Sequence, residues 1–143
     1  MLFDKLQSMF KNESIPEKSN KPKGYPEIVT KDDFLSLSNS DDAAIRHHLL
    51  RNEDLPLELL YKLSRDSSWA IRQAVVEHKN VNVDILESLC KDNDFDVRIS
   101  IAISSKATLD ILRTLSGDAR DKVKQAVAKN PKVTHEILMN INY

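Results

Sequence analysis

The chain has 143 residues, enough for one domain, and its 21 Lys and Arg against 22 Asp and Glu give a formal net charge of -1. That balance excludes the global charge excess that would make nucleic acid or a strongly anionic membrane an obligatory partner. A single cysteine, Cys90, excludes an intrachain disulfide and a cysteine metal cage, and two glycines, Gly24 and Gly117, leave little material for hairpins or phosphate-cradling loops.

In chain order, the first predicted element covers residues 1–11, MLFDKLQSMFK. Leu2, Phe3, Leu6, Met9 and Phe10 fall on one side of an amphipathic helix. Asp4 and the lack of a continuous apolar core or small-residue cleavage site make it a poor signal peptide, so the expected location is cytoplasmic. A helix this short is marginal alone in water and needs a surface to fold on. That surface is a groove of its own chain, a second protomer in self-association, or a membrane; without one, the segment is a frayed tail. The sparse positive charge, Lys5 and Lys11, argues against the membrane. Residues 12–29 follow as a linker with Pro16, Pro22, Gly24, Pro26 and mixed charge.

Residues 30–143 read as a helical-repeat domain built on a gapless step of 26. Ile45-Arg46, Ile71-Arg72, Val97-Arg98 and Val123-Lys124 are one such column pair. Leu37, Leu63, Leu89 and Leu115 make another column, and Phe34, Leu60, Leu86, Leu112 and Leu138 a further one. Leu49, Val75, Ile101 and Val127 recur likewise, as do Ser40, Asp66, Asp92 and Asp118. Each unit is predicted as two short helices. The first starts at Thr30, Pro56, Asn82, Thr108 or Thr134, residues suited to an N-terminus, with a carboxylate two positions on facing the helix dipole. The second follows the aspartate and buries positions such as Ile71, Ala74 and Val75. It closes at Asn52, His78, Ser104 or Asn130. One unit cannot bury its apolar face alone, so stacked neighbours must share it. The expected fold is all-α: a right-handed α-solenoid of four 26-residue helical hairpins and a C-terminal capping helix from Thr134 to Ile141.

The pattern L-x-x-L-x-x-D-x-x-x-x-V-R-x-A-V-A-x-N-P, best seen from Leu112 to Pro131, resembles the leucine-rich repeat variant family and is close to HEAT repeats. The resemblance covers roughly residues 30–141. It implies a curved helical array that serves as a binding surface. Some relatives carry a cysteine-rich iron–sulfur segment before the array; the cysteines for it are missing here.

Asp66 and Arg72, Asp92 and Arg98, and Asp118 and Lys124 each stand six residues apart. Both signs recur together, which predicts a structural ladder with each arginine forking onto an aspartate of its own or the next unit, rather than a basic stripe for phosphate.

The outward column of the second helices reads Ala43, His47, Arg51; then Trp69, Gln73, Glu77; then Phe95, Ile99, Ile103; then Asp121, Gln125, Lys129. HEAT-like geometry implies that it lies on the concave face. The third row is wholly apolar and Trp69 borders it. Trp69, Phe95, Ile99 and Ile103 are the candidate protein-binding anchors, with Gln73, Arg51, Glu77 and Lys129 as a polar rim. The competing reading is that the aromatics cover the core between units and the isoleucines are packed away.

Catalytic patterns are missing. His47 and His48 are adjacent and point apart, His78 stands in a helix-end column, and His135 lies near an N-terminus. Neither H-E-x-x-H nor G-x-S-x-G occurs. Cys90 shares a column with Ser38, Ser64 and Ser116, which predicts a half-buried inert thiol. No catalytic residue, metal or cofactor is expected. The expected function is a non-enzymatic protein-binding module of adaptor, scaffold or inhibitor type, with a protein or peptide as partner. Two alternatives stand beside it. HEAT-like arrays include alkylpurine DNA glycosylases, whose aromatic and acidic groove residues Trp69, Phe95 and Asp121 could mimic, though the groove here is nearly neutral. The other alternative is a peripheral membrane protein held by residues 1–11.

Overall fold

A computed structural model describes residues 31–141; the predicted helix over residues 1–11 and the linker lie outside the described residues. Among the described residues there are nine helices and no strand. They are α1 (Lys31–Ser38), α2 (Ala43–Leu49), α3 (Leu57–Leu63), α4 (Trp69–Glu77), α5 (Val83–Leu89), α6 (Phe95–Ile103), α7 (Leu109–Ser116), α8 (Asp121–Lys129) and α9 (His135–Asn140). The short odd-numbered helices are α-helical rather than 3₁₀.

Local chemistry sets their starts. The Asn82, Thr108 and Thr134 side-chain oxygens accept from the N–H groups of Ile85, Ile111 and Ile137, capping α5, α7 and α9. Pro56 opens α3 without a side-chain cap, since its ring carries no oxygen to accept a backbone N–H. Glu58, Asp84, Asp110 and Glu136 stand in the first turns, against the positive dipole end.

The even-numbered helices pack in a row, α2 on α4, α4 on α6 and α6 on α8, and α1, α3, α5 and α7 each pack on the helix that follows. The recurring apolar columns meet in this row. Leu37, Leu63, Leu89 and Leu115 are buried, as are Leu49, Val75, Ile101 and Val127. Ile71, Val97 and Val123 are buried too, while Ile45 in the first unit is half-buried. The Phe34 column behaves alike until its last member: Leu138 is 41% exposed, because no described helix lies beyond α9 to cover it. Ile137 is buried there instead.

Three polar devices tie neighbouring units together. The first is the ladder. Arg46, Arg72 and Arg98 fork onto Asp66, Asp92 and Asp118, each with Nε at 2.7 Å from one carboxylate oxygen. Nη2 reaches the other oxygen at 3.0, 2.9 and 3.3 Å. Nη1 donates to a backbone carbonyl in the arginine's own unit, that of Ser40, Asp66 or Asp92. Thus the arginine takes a carboxylate from the next unit and a carbonyl from its own. The same carboxylates also accept the N–H of Ser68, Asp94 and Arg120, shaping the turn into the even helix. Lys124 pairs within its own helix, 3.0 Å from Asp121.

The second device uses the helix-end column. His78 is the C-cap of α4 and buried, and its Nε2 lies 2.8 Å from the Asn52 carbonyl. The Asn80 N–H donates to Nδ1, so Nδ1 is the acceptor and Nε2 carries the proton. Asn130 does the same work two units on, its Nδ2 donating to Ala102 and Ser104 carbonyls. Asn52 itself lies beyond the end of α2, whose C-cap is Leu50, and its side chain instead accepts the Asp54 N–H.

The third device is a column the sequence reading did not identify. Asn80, Lys106 and Lys132 donate to the backbone carbonyls of Glu53, Lys79 and Ser105, each 27 residues earlier. These bonds satisfy carbonyls in the loops after the even helices, where intrahelical partners have run out.

Burial raises the Asp66 and Asp92 carboxyls. The arginine forks, the turn N–H groups and the arginine charges outweigh it and hold both below the usual 3.8. A depressed folded value means stability that is complete above the unfolded value and lost as pH falls through the folded one. With Arg72 and Asp92 side chains only 15% and 6% exposed, Arg72→Ala should cost about 2–4 kcal/mol in denaturant unfolding. The wild-type advantage over Arg72→Ala should be constant above pH 3.8 and shrink below it. An advantage that grew on acidification would overturn the ladder's role. His78→Ala should cost about 1–3 kcal/mol, and His78→Asn, which copies Asn130, should recover most of it in the same assay.

Candidate protein-binding surface

The outward positions of α4 and α6 form the candidate surface. Trp69 opens α4 and is 47% exposed; Ile103 closes α6 and is 58% exposed. Phe95 and Ile99 lie between them on the α6 face and are half-buried against the core. Phe95, Ile99 and Ile103 are spaced by four along one helix, a strip about 12 Å long at the normal helical rise. The structure therefore divides the four predicted anchors. Trp69 presents about half of its surface to solvent and Ile103 more than half, and Phe95 and Ile99 form a floor beside them.

The floor has a physical origin. Arg120 and Lys122 place their cations 5.5 and 5.9 Å from the centre of the Phe95 ring, covering one side of it. Both flank Asp121, the residue in the Trp69 and Phe95 column. They were missed because the sequence reading followed that column alone, while the first turn of α8 brings its neighbours to the ring.

The rim residues occupy the positions their columns imply. Glu77 ends α4 and Lys129 ends α8, so Ile103, their counterpart on α6, lies between an acidic and a basic group. Gln73 is half-buried and donates to Glu77 at 3.5 Å. Arg51 is exposed in the turn after α2. Beside Ile103 an open groove of about 460 Å³ runs between the ends of α4 and α6, lined by Val76, Glu77, Lys79, Ser100 and Lys106 among others.

Not every exposed apolar residue carries the same meaning. Leu57, Val83 and Leu109 are 40%, 38% and 43% exposed, and they occupy one column at the first turns of α3, α5 and α7. Recurrence with equal exposure marks them as products of the repeating architecture. Ile103 breaks its column, whose other members are Arg51, Glu77 and Lys129, while Trp69 shares its column with Phe95 and otherwise with Ala43 and Asp121. The packing that serves the other units does not demand an apolar residue there.

Chemistry elsewhere is sparse. Among the described residues no group of three His, Cys, Asp or Glu is placed to hold a metal ion. No helix among them is long and apolar enough to cross a membrane. Asp121, the acid of the glycosylase alternative, is ion-paired with Lys124. No family model, curated protein or solved structure matches the chain.

Cys90 is buried at the C-cap of α5. Burial, with the Glu87 charge adding to it, pushes the thiol up to about 11. Its counterparts Ser38, Ser64 and Ser116 each donate to the carbonyl three residues back. The folded protein should therefore react slowly with a disulfide reagent at pH 8 and quickly once denatured. Cys90→Ser should change stability by no more than about 1 kcal/mol. A fast reaction in the native state would contradict this placement.

Proposed function

We propose that this chain is a non-enzymatic protein-binding module whose binding face is centred on Trp69 and Ile103. The row of helices is, in this reading, a right-handed α-solenoid of the leucine-rich repeat variant or HEAT-like kind, with four 26-residue hairpins, a capping helix and the binding face on its concave side. The observation that carries the proposal is the break in periodicity. Ile103 stands exposed where the other units place charged residues, and Trp69 stands exposed in a column whose outer members are Ala43 and Asp121 and whose remaining member, Phe95, is half-buried. A fold does not need them there, and exposed apolar anchors inside a charged rim are the anatomy of a binding hot spot.

The mechanism is complementarity. Trp69 and Ile103 supply apolar area that loses water on contact, and Phe95 and Ile99 supply a firm floor. Glu77 and Lys129, on either side of Ile103, select the register of a partner with opposite charges at matching positions. The partner is an amphipathic helix or extended segment of another protein.

Trp69→Ala/Ile103→Glu changes only exposed side chains, so the thermal midpoint should stay within a few degrees of wild type. Proteins captured from the native host by the wild type should be lost by this variant, with binding weakened at least about 100-fold for two anchors. Equal capture by both would end the proposal. Retention on duplex DNA with a steep salt dependence would favour the nucleic-acid reading in its place.

A further inference from the structure

We infer that residues 1–11 of the same chain occupy the Trp69–Ile103 face in the free protein, as a tethered stand-in for the partner. The inference rests on the binding face proposed above and names its resting occupant. Five of the eleven residues, Leu2, Phe3, Leu6, Met9 and Phe10, are large and apolar at spacings that gather on one side. An apolar face and an apolar segment thus occur in one chain.

Reach and charge permit the match. The structure is described from Lys31, at the start of α1. From there α2, α4 and α6 succeed one another in contact, and neighbouring helices lie about 8–10 Å apart, so the face is roughly 20–30 Å away. The stretch joining the segment to α1 has, for a flexible chain of its length, an end-to-end distance of about 25 Å. A tether whose length fits its span raises the local concentration of the segment to roughly the millimolar range. Micromolar competitors, including a second copy of the chain, are outmatched at equal intrinsic affinity. Asp4, Lys5 and Lys11 put both signs on the segment, as Glu77, Lys129, Arg120 and Lys122 put both signs around the face.

Trp69 is the sole tryptophan of the chain, so its emission reports on this face alone. The experiment compares the full-length wild type with full-length Leu6→Glu/Phe10→Glu, whose changes lie outside the described residues. Acrylamide quenching and emission maximum are read over a concentration series, with the thermal midpoint as a check on the array. The inference expects a shielded Trp69 in the wild type and a roughly twofold or larger rise in the quenching constant with a red shift in the variant, at every concentration. Equal quenching of the two proteins overturns it. Shielding that grows with concentration overturns it in favour of a second copy. Shielding that arises only on adding vesicles of phosphatidylcholine and phosphatidylserine overturns it in favour of a membrane. The binding face itself is judged separately: Trp69 open in both proteins, with partner capture still lost in Trp69→Ala/Ile103→Glu, removes the tethered occupant and leaves the face standing.

Discussion

Everything in this structure follows from the fact that two helices of seven to nine residues cannot enclose a core. Each pair has one apolar side, and only a neighbouring pair can keep water from it. Ile71, Val97 and Val123 are buried because a further helix lies against each of them. Leu138, at the end of its column, shows the converse. The polar contacts answer the same constraint. Turns brought this close together must satisfy their carbonyls and amides, and the arginine forks, the helix-end side chains and the lysines of the loops do so between units.

The candidate face stands out against that regularity. A repeating fold makes its demands at every step, so a residue that serves packing tends to recur. Leu57, Val83 and Leu109 recur with matching exposure and need no further explanation. Ile103 occurs once on an otherwise charged column, and Trp69 shares its column with the half-buried Phe95 beside Ala43 and Asp121. Their place on adjacent helices, with Phe95 and Ile99 between them, turns two irregular residues into one surface. Cations over Phe95 hold that floor and give its far edge a positive character.

The apolar columns were legible in the sequence because the step never slips, so a pattern seen from Leu112 to Pro131 could be carried back to Phe34. The Asp–Arg pairing was legible in kind and not in detail. Asp66 and Arg72 are six residues apart in the chain, but the fork of Arg72 goes to Asp92, and Asp66 lends it a backbone carbonyl instead. Side-chain lettering cannot reveal which carbonyls are left over after the helices form, and for that reason Asn80, Lys106 and Lys132 passed unnoticed. Ile99 and Ile103 look alike on a helical projection. They differ in exposure because one is flanked along its whole length by neighbouring helices and the other sits where α6 runs out.

The ends of the ladder are chemically marked. Ser40 stands where later units have aspartate, and Lys124 folds back onto Asp121 where earlier units have an arginine reaching forward. Between these two markers every rung of the ladder spans the same interval of 20 residues, from Arg46, Arg72 and Arg98 alike. A tandem duplication of one whole unit would thus restore each bond it interrupts, whereas the gain of a single codon between an arginine and its aspartate would put that one fork out of phase with its acceptor. Whole modules can therefore be added or removed with the ladder kept, while an insertion inside one rung breaks that rung.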